Sequence, residues 1–148
     1  MLGDINNQVS TAQTVTATAV STDSIDLLAA KDLGTGREIY MTTTVDQLVD
    51  AVGAATVTFQ AIVADDAALT TNVTVVGATD AIGKASLAVG SPLRIVKLNP
   101  SFGSLGRRYL GARYVVATGP LTSGQFTTKF GLLPDAGTQN YPIGQVRP

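Results

Sequence analysis

The sequence predicts an all-β fold, and three observations lead to it. Val and Thr dominate the first half of the chain, and such β-branched residues favour strands. Apolar and polar residues alternate over several short runs, which is the period of a half-buried strand. Turn residues interrupt these runs about every 8 to 12 positions, as in a sandwich or barrel. We therefore expect an antiparallel jelly-roll sandwich of about eight strands with extended terminal arms, since closure of this kind removes exposed strand edges.

The first third of the chain divides into an arm, three strands and a turn. Residues 1–14 are polar and are predicted to form an N-terminal arm with little structure of its own. A turn cluster covers residues 32–36. Residues 46–52 are either one helical turn, because Leu48 and Val52 lie four positions apart, or a loop. The strands are predicted at residues 15–20, through Ile25 and Leu27, and at residues 37–45.

The middle of the chain contains the strongest single strand, residues 54–65. Further strands are predicted at residues 72–76 and 92–98, and Pro92 stands at a strand start, where a missing donor costs least. Residues 107–130 contain two runs separated by Gly119 and Pro120, which predicts a hairpin with either a wide connection or a bulge, at the centre of the core. The inward positions of these strands predict a core of Val57, Phe59, Val63, Ile39, Met41, Tyr114, Val116 and Phe126.

Composition excludes several classes of function. At 148 residues the chain is one domain by its length, with neither cysteine nor histidine. Thiol chemistry is therefore excluded, as are the commonest general base and the commonest metal ligand. The net charge of −1 argues against nucleic-acid binding, and no apolar run is long enough to cross a membrane as a helix. Only 14% of residues are charged, which indicates that much of the surface contacts another protein.

No set of residues has the spacing of a catalytic or metal site. The segment around Lys84 fails the phosphate-loop pattern, because Ala85 rather than Ser or Thr follows the lysine. Asp65 and Asp66 are adjacent, so their side chains point to opposite faces and rarely share a ligand. Glu38 is the only glutamate, which excludes a Glu–Glu glycosidase pair. We expect no catalytic residue, no cofactor and no metal, and therefore not an enzyme.

Two groups of residues are candidates for protein contact. The chain from residue 132 onward contains prolines and glycines but remains apolar, which predicts an extended C-terminal arm that binds along a partner. The arginines are either scattered strand charges or interface anchors, since a guanidinium pairs bidentately with carboxylates. The candidate interface residues are Arg107, Arg108, Arg113, Tyr141, Ile143 and Val146.

Four stretches carry a resemblance to a known family. STDSIDL and KDLGTGREIYM begin at Ser21 and Lys31, GAATVTFQAIVADDAAL begins at Gly53, and RRYLGARYVVATGPLTSGQFT, the most specific, begins at Arg107. Together they resemble the capsid cement (decoration) protein family of tailed bacteriophages, the Bordetella phage cement protein family. The resemblance covers residues 15–130, so the expected organisation is an arm at 1–14, a jelly-roll domain at 15–131 and an arm at 132–148.

The resemblance implies a non-enzymatic virion protein on the outer surface of the capsid, present in the host cytoplasm during assembly. Its implied partners are the major capsid protein, whose subunits it would bridge, and a second copy of itself in a homodimer. Neither a nucleic acid nor a membrane is expected as a partner. The alternative from another class is a carbohydrate-binding β-sandwich, as in an adhesin or a fibre module. The residues favour the first, because the chain lacks tryptophan and its few aromatic residues follow core spacing.

Overall fold

Two antiparallel β-sheets pack face to face as a sandwich. The computed structural model describes residues 5–28 and 38–131. This part contains ten strands, and its only helical segments are the 3₁₀ turns Ile5–Asn7, Lys84–Ser86 and Pro100–Leu105. The predicted all-β sandwich is therefore confirmed.

The first sheet has the strand order β1-β10-β4-β8, and the second has the order β2-β9-β5-β6, with β3 beside β9 and β7 beside β5. The strands of the first sheet are β1 (Gln8–Thr14), β4 (Tyr40–Ala51), β8 (Arg94–Lys97) and β10 (Leu121–Gly131). Those of the second sheet are β2 (Ala19–Val20), β3 (Ile25–Asp26), β5 (Thr56–Ala64), β6 (Thr74–Ala78), β7 (Ile82–Gly83) and β9 (Tyr109–Ala117).

The predicted hairpin over residues 107–130 is wrong, because β9 and β10 belong to different sheets. Thr118 and Gly119, with φ of 63° and 102°, turn the chain from one sheet into the other. Both edges of each strand are already paired: β9 with β5 and with β2 and β3, and β10 with β4 and β1. The two strands meet across the core, where the Tyr114 and Phe126 rings stack with centroids 5.4 Å apart. Their expected position at the centre of the core is confirmed.

The N-terminal arm predicted over residues 1–14 is wrong for its second half. Gln8–Thr14 forms β1, an edge strand antiparallel to β10, while residues 1–4 lie outside the described part. The strand was not recognised because its register with β10 is irregular, with Ala12 at a φ of 43°, so the apolar alternation is lost. Val9 and Ser10 are buried, and the exposed residues Thr11, Ala12 and Thr14 are small or polar, which suits an edge strand.

Residues 46–51 form neither a helical turn nor a loop, since β4 continues to Ala51 and only Val52 lies in the bend that follows. The pairing with β10 extends as far as Ala51 and Leu121, with irregularities near Gln47 and Asp50. Leu48 and Val52, whose spacing suggested a helix, are 55% and 91% exposed. Tertiary pairing has therefore overridden a local pattern of only two residues.

The core forms where the sequence places it. Six of the eight predicted residues are fully buried, and the other two, Ile39 and Val116, are partly buried and pack against them. Phe59 lies at the centre, edge-on to both Tyr114 and Phe126, with centroids 6.0 and 5.1 Å away. Edge-to-face contacts of this kind add to the free energy that burial of the rings contributes.

Contacts between the sheets close both long sides of the sandwich. On one side β6 lies against β8, and the Asn99 amide donates to the Val76 carbonyl at 2.8 Å. Gly77 permits this approach, because a Cβ there would lie 2.7 Å from the Lys97 carbonyl oxygen. On the other side the Asp23 amide donates to the Val9 carbonyl at 2.8 Å.

A buried network of hydroxyl groups links the two sheets through Tyr114. Its hydroxyl is 2.6 Å from Ser10 Oγ and 2.8 Å from Thr128 Oγ1, and the latter is 2.8 Å from Thr43 Oγ1. All four residues are fully buried, so their hydroxyl groups must find hydrogen-bond partners within the protein, and Ser10 Oγ also accepts from the Thr128 amide at 3.1 Å. Burial raises the pKa of the Tyr114 phenol above its ordinary value.

Substitution of Tyr114 by phenylalanine is expected to lower the free energy of unfolding by about 1–3 kcal/mol, because Ser10 and Thr128 lose a hydrogen-bond partner inside the core. Urea unfolding followed by circular dichroism measures this change. Tyr109→Phe is the matched control: its ring is partly exposed, and surface substitutions typically change stability by less than about 0.5 kcal/mol. Equal effects of the two substitutions would mean that the network does not stabilise the fold.

Candidate interaction site at one end of the sandwich

An apolar cleft opens at the end of the sandwich where β10 finishes. Its volume is about 280 Å³. Strands from both sheets contribute to it, together with the segments before β1, before β4 and after β8. The lining residues are Asn7, Ile25, Leu27, Ile39, Phe102, Leu110, Phe130 and Gly131.

Short backbone contacts hold each wall of the cleft. In β3, Ile25 pairs with Leu110 of β9, and the Leu27 amide donates to the Arg108 carbonyl at 2.9 Å. On the other wall, the Leu98 amide donates to the Ile39 carbonyl at 2.9 Å. These bonds position the apolar side chains that line the cleft.

The base of the cleft depends on the 3₁₀ turn Pro100–Leu105. Asn99 caps this turn, since its side-chain oxygen accepts a hydrogen bond from the Ser101 amide at 3.0 Å. Pro100 suits the first position of the turn, and Gly106 ends it in the left-handed conformation with a φ of 68°. The turn buries Phe102 and presents it to the cleft.

Exposed apolar residues adjoin the cleft in sequence. Ile5 belongs to the same 3₁₀ turn as Asn7, Leu28 follows Leu27, and Leu105 ends the turn that contains Phe102. Their exposures are 80%, 71% and 43%. Exposed apolar side chains beside an apolar cleft are typical of a contact site for another segment of protein.

Three ion pairs surround this end of the sandwich. Arg108 forms a bidentate ion pair with Asp26, in which Nε donates to Oδ1 at 2.8 Å and Nη2 donates to Oδ2 at 2.7 Å. The guanidinium of Arg108 also lies 5.3 Å from the centroid of the Tyr109 ring. The other two pairs are Arg107 with Asp65, at 3.0 Å, and Lys97 with Glu38. An apolar centre with a charged rim has the composition of a protein–protein interface.

The pKa of Asp26 is lowered from 3.8 to about 2, first by the hydrogen bonds from Arg108 and then by the Leu28 amide. Because the pKa is depressed in the folded state, the pair stabilises the fold above pH 3.8, and this contribution is lost as the pH falls towards 2. Arg108→Met is therefore expected to raise the pKa of Asp26 towards 3.8, as measured by NMR titration of the carboxyl carbon. Arg107→Met, which removes a neighbouring charge that Asp26 does not contact, should leave it unchanged. An unchanged Asp26 pKa in Arg108→Met would show that the pair does not form.

The structure brings two of the six candidate interface residues to this end. Arg107 and Arg108 precede β9 beside the cleft, whereas Arg113 lies within β9, where its Nε donates to Gln60 Oε1 at 2.8 Å. Each of these arginines thus has a partner within the chain, and their role as interface anchors stays a prediction. The other three, Tyr141, Ile143 and Val146, lie outside the described residues with the rest of the C-terminal segment 132–148.

The acidic residues considered as metal ligands have partners in the chain. Asp66 accepts hydrogen bonds from the amides of Thr70 and Thr71 at 2.9 and 2.7 Å, which shapes the loop after β5. Asp65 accepts from Asn72 and Arg107, and both lower its pKa. Within residues 5–28 and 38–131 no group of acidic side chains has the arrangement of a metal site. No helix in this part is long and apolar enough to cross a membrane.

The arrangement suits binding of protein rather than of sugar. Of the seven aromatic residues in the described part, five are buried and cannot stack on a ligand, and only Tyr40 and Tyr109 are partly exposed. Sequence reasoning missed the cleft, because its lining comes from six separate segments of the chain. The one local signal in the sequence is the Asn99-Pro100 pair before Phe102, which is typical of the start of a helical turn, with Asn99 as the cap and Pro100 as the first residue.

Comparison with models of protein families finds a match to the family described as Bbp16, over residues 9–130. The matched range begins in β1 and ends one residue before the end of β10, so it contains both sheets and most of the cleft. No curated protein matches the chain.

Proposed function

The chain belongs to the Bbp16 family, the Bordetella phage cement protein family, and we propose that it binds the outer surface of an icosahedral phage shell and stabilises it by bridging subunits of the major capsid protein. Membership of this family implies a place in the virion capsid and is consistent with a protein that is not an enzyme. The observation that carries the proposal is the extent of the match, because it includes both sheets rather than one motif.

The proposal includes a jelly-roll topology for the sandwich. If β2 and β3 count as one strand, and β6 and β7 as another, the part of the chain that the structure describes has eight strands in sequence. The first then pairs with the eighth, the second with the seventh, the third with the sixth and the fourth with the fifth. Nested pairing of this kind is what two Greek keys folded together produce, which supports the jelly roll.

We assign the cleft end of the sandwich to contact with the shell. It combines exposed apolar side chains, Ile5, Leu28 and Leu105, with arginine–carboxylate pairs at the rim. The Arg108 side chain is 51% exposed, so one face of its guanidinium can contact a partner while its fork holds Asp26. The C-terminal segment 132–148, with Tyr141, Ile143 and Val146, extends this contact along the shell.

Repetition accounts for the strength of such a contact. A protein that binds only the assembled arrangement of subunits stabilises that arrangement. If the protein forms a homodimer, the second copy binds its shell subunit in an effectively intramolecular step once the first copy is bound. The overall affinity of the dimer for two neighbouring subunits is then much higher than the affinity of either copy alone. Only 14% of the residues are charged, which suits a protein whose surface is largely covered by other proteins in the assembly.

Co-sedimentation with purified shells of the corresponding phage tests the proposal. The full chain is expected to pellet with the shells and to raise the temperature at which they rupture. Replacing both Arg107 and Arg108 by alanine should weaken binding and reduce its dependence on salt. Lys84→Ala is the matched control, since it also removes an ion pair, with Asp50, but at the opposite end of the sandwich.

The outcomes separate the parts of the proposal. Failure of the folded full chain to pellet with the shells would contradict the function itself. Equal loss of binding in the double arginine variant and in Lys84→Ala would contradict the assignment of the cleft end. Deletion of residues 132–148 without loss of binding or of shell protection would remove the C-terminal segment from the contact.

A further inference from the structure

We propose that the cleft is the docking site of the C-terminal segment of the same chain, and that the side chain of Leu132 fills it. The cleft is lined by Gly131, the last described residue, and two leucines follow it. The proposal concerns the isolated protein and does not depend on the proposed function. It rests on the alternation of β10, on its register with β4, and on the size of the cleft.

The alternation of β10 places position 132 on the inward face. Phe126, Thr128 and Phe130 are buried, whereas Thr127 and Lys129 between them are partly exposed. Since successive side chains of a strand point to opposite faces, one further residue in the same conformation points inward beside Phe130. The residue at that position is leucine, which suits an apolar cleft.

The register of the ladder places the same residue opposite a wall of the cleft. From Phe126 to Gly131 the pairing with β4 is regular, and it ends with Gly131 opposite Tyr40. The next pair in this register is Leu132 with Ile39, which lines the cleft. The Ile39 carbonyl is already held by the Leu98 amide on its other side, so its backbone is in place for a further pair.

The size of the cleft and the attachment of the segment favour this occupant. A volume of about 280 Å³ exceeds the roughly 150 Å³ of an apolar cavity that holds benzene, so a leucine side chain has room. Leu132 is joined directly to a residue of the lining, and its effective concentration at the cleft therefore exceeds that of any segment from a second molecule.

Engineered cysteine pairs test the proposal, because the chain has no cysteine of its own. Ile39→Cys combined with Leu132→Cys is expected to form a disulfide within one molecule. Residues that lie opposite each other in an antiparallel ladder have Cα atoms about 4.5–5.5 Å apart, within the range of about 4.4–6.8 Å that a disulfide spans. Ile39→Cys with Leu133→Cys is the matched control, in which the second cysteine faces away from the cleft. Non-reducing electrophoresis and mass spectrometry measure the extent of oxidation.

Two outcomes of this experiment would overturn the proposal. A disulfide that joins two molecules in the 39/132 pair would make a second copy the occupant. Equal oxidation of the 39/132 and 39/133 pairs, or none in either, would show that position 132 does not face the cleft.

Alanine substitution provides a second measurement that needs no disulfide. Leu132→Ala is expected to lower the unfolding temperature by about 5 °C or more, because a buried leucine is lost, whereas Leu133→Ala should change it little. An apolar fluorescent dye should also bind more strongly to Leu132→Ala than to Leu133→Ala, since the cleft is then open. The same unfolding temperature and the same dye binding in both variants would contradict the proposal.

Discussion

Replacing Phe59 with alanine is expected to lower the free energy of unfolding by about 3–5 kcal/mol. The ring is fully buried between the two sheets and lies edge-on to both Tyr114 and Phe126, so its removal leaves a cavity bordered by two rings that cannot close it without leaving their own contacts. Urea unfolding, with the midpoint and the slope fitted separately, measures the loss.

Phe59→Leu is the control that separates the contact between rings from burial itself. It keeps most of the apolar volume and should cost clearly less than Phe59→Ala. A loss below about 1 kcal/mol in Phe59→Ala would mean that the residue lies at a site that can collapse, and would contradict its position at the centre of the core.

Gly77→Ala is expected to lower the free energy of unfolding by about 3 kcal/mol, at the upper end of the cost of overpacking. The added Cβ would lie 2.7 Å from the Lys97 carbonyl oxygen and 2.7 Å from Val96 Cγ1. The carbonyl is part of the backbone of β8 and cannot rotate away, so the edge strands β6 and β8 must separate and open one side of the sandwich. Thermal and urea unfolding measure the loss.

Gly83→Ala is the matched control for this substitution. Gly83 has an ordinary extended conformation, with a φ of −65°, and a Cβ there would contact nothing within 4 Å. Its replacement should therefore change the free energy of unfolding by less than about 0.5 kcal/mol. If Gly77→Ala is as well tolerated as Gly83→Ala, the two edges do not approach each other in solution as closely as the structure places them.

The strands and the core were largely predictable from the sequence, because alternation is a local property. Val57, Phe59, Ala61 and Val63 occupy every second position of β5, and the same rule located Met41 in β4 and Tyr114 in β9. Alternation does not specify which strand is the neighbour. A Gly-Pro pair between two strands is compatible with a hairpin and equally with a connection that crosses from one sheet to the other. Here β9 and β10 pair with distant strands in different sheets, so the connection crosses between the sheets.

The candidate site was only partly predictable, for a related reason. Arg107 and Arg108 could be singled out because they are charged and adjacent to aromatic residues in one stretch. The cleft beside them joins Asn7, Ile25, Phe102 and Phe130, which are far apart in sequence, and no local pattern connects such positions. The strand β1 was missed because an irregular edge strand carries little periodic signal.

The position of β10 between β1 and β4 has a consequence for synthesis on the ribosome. Among the described strands, β1 pairs only with β10, the last of them, and the second sheet is incomplete until β9 is available. Neither sheet can be completed until residues 109–131 have emerged, so the nascent chain must keep β1, β4 and β5 from pairing wrongly for several seconds at about 5–20 residues per second. We therefore expect folding to be slow, on the scale of about milliseconds to seconds once β10 is available, as is typical of folds dominated by distant contacts.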